Sequence, residues 1–286
     1  MEITIITTAY NSADFIKETI NSVCTQTYGK WRLIVFDDGS ADNTRQIVKE
    51  FAAKDKRIQL LCHQQNKNCG LAGTLKKAAA CVKTEYVCFL EHDDLFDKDA
   101  VKKRVRFLRQ YPQAQIVFND VKCFGDKQRV KKLSLFNKAA LLWVKFLNPF
   151  TCAYKLNFAF LGFNPIPTFS CVMLKTDLLE NLDFNCAAQN KTDYWLWAQL
   201  SFKHKFYFIK EPLTLWRLTK TSYTMRSLNN NTAGINFKAA LKNLYKKNLP
   251  ATVYCFKVFA MAVLSIIFNC ICTVLKPVIK FICHIK

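Results

Sequence analysis

The stretch that decides the fold runs from Tyr86 to Asp94 and reads YVCFLEHDD. Its apolar first half is typical of a strand that is buried on both faces of a parallel sheet. Its second half is acidic: six of the chain's 21 acidic residues lie between Glu85 and Asp99, although the formal net charge is +21 at pH 7. Like charges at one strand end are unfavourable unless something compensates them. The stretch therefore predicts a buried strand that presents carboxylates to a ligand.

On either side of this stretch, apolar runs alternate with amphipathic helical patterns through the first 120 residues. The predicted strands are Ile3–Thr8, the run beginning at Trp31, Ile58–Cys62, Tyr86–Leu90 and Ile116–Phe118. The predicted helices cover Phe15–Val23, Ile47–Phe51, Leu71–Val82 and Ala100–Tyr111. Strands that alternate with helices in this way predict an α/β fold, in which helices cover both faces of a mostly parallel sheet.

Three polar segments follow strand ends: TAYN, DDGS and EHDD. In open α/β sheets, ligands bind in the crevice outside the carboxyl ends of the strands. We therefore expect the three segments to meet along one edge of the sheet. Asp37 and Asp38 in the second segment either shape a turn or accept hydrogen bonds from a ribose or a base.

The acids of the third segment have two explanations. Hard divalent cations take oxygen ligands, and a protein often supplies only one or two carboxylates while substrate phosphates supply the remainder. Asp93, with Glu91 or Asp94, suits that role. Asp97 and Asp99 are explained by the next helix, because acids at a helix N-terminus interact favourably with its dipole.

Several function classes are disfavoured by what the sequence lacks. Without GxGxxG after the first strand and without GxxxxGK[ST], a dinucleotide enzyme and a P-loop kinase are not expected. The 13 cysteines form no pair of CxxC motifs, and no export signal is recognisable, so free thiols in a reducing compartment are expected rather than a zinc site. Two alternative functions remain open: a nucleotidyltransferase, and a non-catalytic basic module that binds anionic lipid or nucleic acid. Acids at three strand ends would repel nucleic acid, which is therefore not an expected partner.

Five motifs in order, TIITTAYN, IVFDDGSADNT, NKNCG, YVCFLEHDD and TDYWLW, resemble the family 2 glycosyltransferases over roughly residues 1–225. The resemblance is to members that build bacterial surface polysaccharides. It implies the Rossmann-like GT-A fold and an inverting enzyme that uses a nucleotide-diphosphate sugar, here a UDP-sugar, with Mn²⁺ or Mg²⁺. The expected acceptor is a hydroxyl of a glycan or of a lipid-linked glycan.

The resemblance also implies roles for individual residues. Thr8, Tyr10 and Asp38 would hold the uridine, with Asp37 beside them. Asp93 would bind the metal as the last acid of the family's DxD motif.

The remaining implied roles belong to Glu91, Lys76 and Asp193. Each of these residues either departs from the family pattern or lies next to a residue that does. Glu91 stands at the first acid of DxD and would contact the ribose or the metal. Lys76 replaces a common asparagine and would meet a phosphate. Asp193 would be the catalytic base, although Thr192 replaces the usual acid before it; the alternative role of Asp193 is a helix cap.

The domain prediction places a catalytic domain at 1–225, with a nucleotide-sugar half at 1–120 and an acceptor half at 121–225. An aromatic loop is predicted at Asn148–Thr168, a strand pair at FYFI and LTLWRL, and a basic, apolar helical tail at 226–286. Within the tail, Val258–Leu275 has no charge and is flanked by lysines. It predicts a helix in the membrane interface, a dimer or domain contact, or a true span. The favoured location is the cytoplasmic face of the inner membrane, on an anionic surface.

Overall fold

The structure is a computed structural model, and it describes residues 1–131, 133, 152–157, 159–161, 163–186, 188–219, 231–250 and 253. The predicted membrane segment at 258–275 and part of the predicted loop at 148–168 lie outside these residues. Among the residues described, no helix combines the length and the apolar character that crossing a membrane requires.

The first half of the chain alternates strands and helices as the sequence predicts. Its strands are β1 (Ile3–Ala9), β2 (Trp31–Asp37), β3 (Ile58–Cys62), β4 (Tyr86–Phe89) and the short β5 (Leu95–Phe96). Its helices are α1 (Ile16–Cys24), α2 (Thr44–Lys54), α3 (Gly70–Ala80) and α4 (Ala100–Gln110).

The second half adds strands of both directions. They are β6 (Ile116–Gly125), β7 (Ala153–Tyr154), β8 (Val172–Lys175) and β9 (Phe206–Leu218), with helices α5 (Thr192–Leu200) and α6 (Asn231–Asn248). The predicted strand pair at FYFI and LTLWRL is the single strand β9. Its register against β6 shifts beside Pro212, which has no N–H to donate to the ladder. The shift allows one strand to continue where the sequence pattern indicates two.

The described strands form one sheet in the order β3-β2-β1-β4-β8-β6-β9-β5, with β7 also on β9. β1 to β4 are parallel to one another, β6 and β9 are parallel to each other, and β8 lies antiparallel between β4 and β6. The predicted α/β fold with a mostly parallel sheet is confirmed. The carboxyl ends of β1, β2 and β4 therefore share one edge of the sheet.

Helices cover both faces of the sheet, so the strands are buried on both sides. One core cluster joins α1, α2 and α4 to residues such as Ile5, Val35 and Cys88. The opposite cluster joins α3, α5 and α6 to Phe89, Phe118 and other aromatic residues. Fully burying one such side chain contributes about 1.5–3 kcal/mol. The two clusters together hold the carboxyl edge of the sheet in place.

Candidate active site

The three acids that follow β4 converge at its carboxyl end. Glu91, Asp93 and Asp94 each offer a carboxylate oxygen, and these oxygens lie within 4.8 Å of one another. Glu91 also lines a small cavity together with Thr8 of β1 and Phe169. The segments after β1 and β4 therefore lie at the same edge, as the sequence predicts.

Asp94 is a structural member of this cluster rather than an open ligand. Its side chain is fully buried, and its Oδ2 accepts hydrogen bonds from the hydroxyls of Ser170 at 2.6 Å and Thr168 at 3.1 Å. Its Oδ1 accepts the backbone N–H of Arg217 at 2.9 Å. Burial, followed by the charge of Asp93, raises the pKa of Asp94 to about 8. Since both oxygens have partners, Glu91 and Asp93 are left to meet a ligand.

Glu91 lies in a strongly unfavourable place for a negative charge. Burial raises the pKa of Glu91 well above its ordinary value, and Asp94, Asp93 and Asp193 raise it further. Its contact with the Thr168 hydroxyl, at 3.3 Å, compensates only part of this cost. Like charges held together in this way fit a divalent cation, which would take oxygen ligands from Glu91 and Asp93.

Arg217 on β9 holds the backbone of the acidic segment. Its Nε donates to the carbonyl of Asp93 at 2.8 Å, and its Nη2 pairs with Glu18 of α1. The guanidinium also lies over the rings of Phe15 and Phe124. Because its hydrogen bonds go to a carbonyl and to Glu18, Arg217 fixes the segment without occupying the carboxylates of Glu91 and Asp93.

Asp193 lies in the first turn of α5, where the sequence motif TDYWLW places it. Burial raises the pKa of Asp193 to about 6, while the backbone N–H of Tyr194 and the amide of Asn164 favour the carboxylate and oppose that shift. The amide Nδ2 of Asn164 donates to Oδ2 of Asp193 at 2.8 Å. A carboxylate with a pKa near 6 is a better proton acceptor than an ordinary aspartate.

The segment from Asn164 to Ser170 connects Asp193 to the acid cluster. Asn164 contacts Asp193, the Thr168 hydroxyl contacts Glu91, and the Ser170 hydroxyl accepts the backbone N–H of Glu91 at 2.9 Å. Three residues within seven consecutive positions thus contact both sides of the candidate site. Asp193 also lies close enough to raise the pKa of Glu91.

Asp37 and Asp38, which are adjacent in sequence, have different surroundings. Asp37 is fully buried, and its Oδ2 accepts from Arg45 at 2.6 Å and from the backbone N–H groups of Gly39 and Ser40. This arrangement favours the turn-shaping role for Asp37. Asp38 accepts the backbone N–H of Cys69 at 2.7 Å through Oδ1, and no hydrogen bond to its Oδ2 is found in the described part of the chain.

The remaining candidate residues surround the same edge. Thr8 is partly buried in the wall of the cavity, and Tyr10 is 48% exposed in the loop after β1. Lys76 is exposed on α3, the helix that supplies Leu71 and Leu75 to that wall. These positions suit contacts with a ligand that extends outward from the cavity.

Sequence reasoning missed several residues that shape the site. They are Asn164, Thr168, Ser170 and the buried Arg104, whose guanidinium donates to Asn119, Thr214 and the carbonyl of Ser170. The run NPIPTFS carried a signal, because its two prolines restrict the backbone beside the polar residues Asn164 and Thr168. Arg104 gave none, since it lies in the basic helix sequence AVKKRVRFLRQ.

Comparison with known proteins identifies the family of this chain. The sequence model of the family described as "Glycosyl transferase family 2" matches residues 4–183, and the chain belongs to this family. It is 34% identical to TuaG of Bacillus subtilis, whose name refers to teichuronic acid biosynthesis, over 108 residues that make up 38% of this chain and 42% of TuaG. It is 28% identical over 199 residues, 69% of each chain, to WfgD of Escherichia coli, named as a UDP-Glc:α-D-GlcNAc-diphosphoundecaprenol β-1,3-glucosyltransferase.

Solved structures share the fold. Staphylococcus aureus TarS, crystallised with UDP-GlcNAc, matches with a TM-score of 0.64 at 16% identity, covering 89% of this chain and 69% of the TarS chain. The mannosyltransferase PcManGT of Pyrobaculum calidifontis, in complex with GDP-Man and Mn²⁺, matches with a TM-score of 0.54 at 16% identity, covering 92% and 80%. The GT-A fold and the resemblance to glycosyltransferases of bacterial surface polysaccharides are therefore confirmed.

Proposed function

We propose that this chain transfers a sugar from a UDP-sugar to a hydroxyl of a glycan or lipid-linked glycan, with inversion at the anomeric carbon and with help from a divalent cation. The observation that carries the proposal is the segment Asn164–Ser170, which contacts Asp193 at one end and Glu91 and Asp94 at the other. A proton acceptor and a cluster of metal-binding acids are thereby supported by one stretch of chain.

Asp193 is proposed as the general base. It takes the proton of the acceptor hydroxyl as that oxygen forms a bond to the anomeric carbon, while the bond from that carbon to the diphosphate breaks and UDP leaves. A single displacement of this kind inverts the anomeric configuration. Asn164 donates to Oδ2 of Asp193 and thereby orients the carboxylate.

Glu91 and Asp93 are proposed to hold Mn²⁺ or Mg²⁺. A bound divalent cation neutralises charge that develops on a leaving diphosphate. In this chain Asp93 provides a carboxylate on a backbone fixed by Arg217, and Glu91 provides a second oxygen beside Thr168. The mutual repulsion of these acids makes the empty arrangement costly and the loaded one favourable.

The donor nucleoside is proposed to lie against Thr8, Tyr10 and Asp38. Asp38 can accept a hydrogen bond from the base or the ribose through Oδ2, because Oδ1 already meets Cys69. Tyr10 offers an exposed ring to the base, and Lys76 is proposed to meet a phosphate. UDP is favoured as the nucleotide because the names of WfgD and of the TarS complex refer to UDP-sugars.

The acceptor is proposed to be lipid-linked, which would place the protein at the cytoplasmic face of the inner membrane. The name of WfgD specifies a diphosphoundecaprenol acceptor. In this chain α6 presents Lys238, Lys242 and Lys246 to solvent, while Phe237, Leu241 and Tyr245 are buried. A basic face of this kind suits anionic headgroups. Association of two copies through the residues after α6 is the alternative.

Release of UDP from a panel of UDP-sugars tests the proposal. The full chain would be incubated with Mn²⁺, each donor, and either a glycan or a lipid-linked glycan, and products would be identified by mass spectrometry. Acceptor-dependent UDP release with a product heavier by one sugar is expected. Transfer of a nucleotidyl group, or the absence of turnover with every donor, would contradict it.

A further inference from the structure

A second group of metal-ligating side chains lies apart from the acid cluster, around the turn after β3. Asp38, His63 and Cys69 each offer one ligand atom, and these atoms lie within 4.8 Å of one another. The atoms are a carboxylate oxygen, an imidazole nitrogen and a thiol sulfur. Such a mixed set is typical of zinc, whereas magnesium and manganese prefer oxygen ligands alone.

The three residues are held together by their own contacts. The backbone N–H of Cys69 donates to Oδ1 of Asp38 at 2.7 Å, and Nε2 of His63 lies 3.3 Å from the same oxygen. The His63 ring packs against Phe36, with ring centroids 4.8 Å apart, and is buried. Two ligands are therefore placed in advance, which reduces the entropic cost of binding an ion.

Cys69 lies on the solvent side of this group. Its side chain is exposed, while Asp38 and His63 are buried behind it. The hydroxyl of Thr74 lies 2.7 Å from Nε2 of His63 and would compete with a metal ion for that nitrogen. A metal ion binds by exchanging this hydrogen bond for coordination and by displacing the thiol proton to solvent, which leaves a thiolate as the ligand.

We propose that Asp38, His63 and Cys69 form a regulatory Zn²⁺ site that overlaps the binding site of the donor nucleoside. The overlap rests on the proposed function, because that function assigns Asp38 to the nucleoside. A Zn²⁺ ion on Asp38 would neutralise the carboxylate that accepts the hydrogen bond of the nucleoside, so each ligand would weaken the binding of the other. Zinc is expected to raise the KM for the UDP-sugar and to leave kcat unchanged.

Co²⁺ is the probe for the site, since it takes the same ligands as Zn²⁺ and absorbs in the near ultraviolet when a thiolate binds it. The full chain with Co²⁺ should show this thiolate band, and added Zn²⁺ should abolish it. Cys69→Ser should lose the band, and Cys81→Ser, which alters the exposed cysteine at the opposite end of α3, should keep it. Glu91 and Asp93 give no thiolate band, so the acid cluster does not interfere.

The same variants separate the metal site from the proposed function. Cys69→Ser should weaken Zn²⁺ binding by about a hundredfold or more, because even the outer partners of metal ligands are worth about 10- to 100-fold. A full-length chain without the band, or a Cys69→Ser variant that retains it, would overturn the site. A Co²⁺ affinity, read from the band, that UDP does not lower would overturn the overlap. Failure of the glycosyltransferase proposal would appear instead as missing UDP release in zinc-free buffer.

Discussion

The side-chain amide of Asn164 donates a hydrogen bond of 2.8 Å to Oδ2 of Asp193. This contact ties the aromatic segment before β8 to the first turn of α5, two parts of the chain that are far apart in sequence. It favours the charged form of Asp193, whereas burial favours the neutral form and raises the pKa to about 6. The proton affinity of the proposed base therefore depends on a residue that lies outside every family motif.

Asn164→Leu should shift the pH dependence of transfer. A base must be deprotonated to act, so activity is lost as the pH falls through the pKa of Asp193, near pH 6. Removing the amide raises that pKa further, so the acidic limb of kcat/KM should move to higher pH. Asn185→Leu, at an exposed asparagine, is the control. An unchanged limb in both variants would remove Asn164 from the mechanism.

Asp93→Ala should abolish the metal-dependent part of UDP binding. Calorimetry of the full chain with UDP, with and without Mn²⁺, measures this directly. The cation is expected to strengthen UDP binding in the unsubstituted chain, because Asp93 and Glu91 would hold it and it would neutralise charge on the diphosphate. Asp97→Ala is the matched control, since Asp97 lies four residues further on, after β5, and outside the cluster. If Asp93→Ala binds UDP as the parent does under both conditions, the metal assignment is wrong.

We expect Asp37 to stabilise the fold and Asp38 to bind the donor nucleoside. Asp37→Asn weakens the ion pair between the buried Asp37 and the partly buried Arg45, and it should lower the free energy of unfolding by about 1–3 kcal/mol, with UDP affinity retained. Asp38→Asn keeps an oxygen for Cys69 and should leave stability nearly unchanged while UDP affinity falls by about tenfold or more. Denaturant titration and calorimetry on both variants check this, and the reverse pattern would exchange the two roles.

Membrane association should depend on the lysines of α6. Each Lys near an anionic surface contributes about 1 kcal/mol, so replacing Lys238, Lys242 and Lys246 by Ala should weaken binding to anionic liposomes by about a hundredfold. Flotation measures the bound fraction. The matched control replaces three exposed basic residues of α4, namely Lys102, Arg106 and Arg109.

A second flotation experiment addresses the residues that follow α6. A chain that ends at Asn248 should remain folded and should bind liposomes more weakly than the full chain. If the full chain does not bind anionic liposomes at all, the membrane proposal is wrong. The predicted segment at 258–275 would then be better explained by a protein contact.

The sequence predicted the residues at the carboxyl edge of the sheet well, because apolar strand patterns and the polar segments that follow them are local features. Apolar runs identify β1 to β4, and the polar segments TAYN, DDGS and EHDD necessarily follow their carboxyl ends. The antiparallel insertion of β8 between β4 and β6 was not predictable in this way. It depends on pairing between segments more than 50 residues apart, for which no local pattern exists.

The residues of the site divide in the same way into those that local sequence predicts and those that only the tertiary fold brings together. Glu91, Asp93 and Asp193 were found from motifs, whereas Thr168, Ser170 and Arg217 reach the acids only through the tertiary fold. Asp37 and Asp38 look equivalent in sequence because both follow a buried strand. Alternation along the extended backbone turns their side chains to different surroundings, and Arg45 from α2 pairs with only one of them.

The central claim is that Asp193 is the proton acceptor for sugar transfer, and the Asp193→Asn variant tests it most directly. The variant keeps the shape of the side chain and an oxygen that can accept the bond from Asn164. A lost base should leave the melting temperature and UDP-sugar affinity nearly unchanged and should lower the transfer rate by about a hundredfold or more. A carboxylate that only stabilises the first turn of α5 should be replaced by Asn with little loss of stability or transfer, because Asn caps helices about as well as Asp. Melting temperature and transfer rate are measured on the same preparation. A folded variant that transfers at a near-normal rate would contradict the assignment of Asp193 as the base.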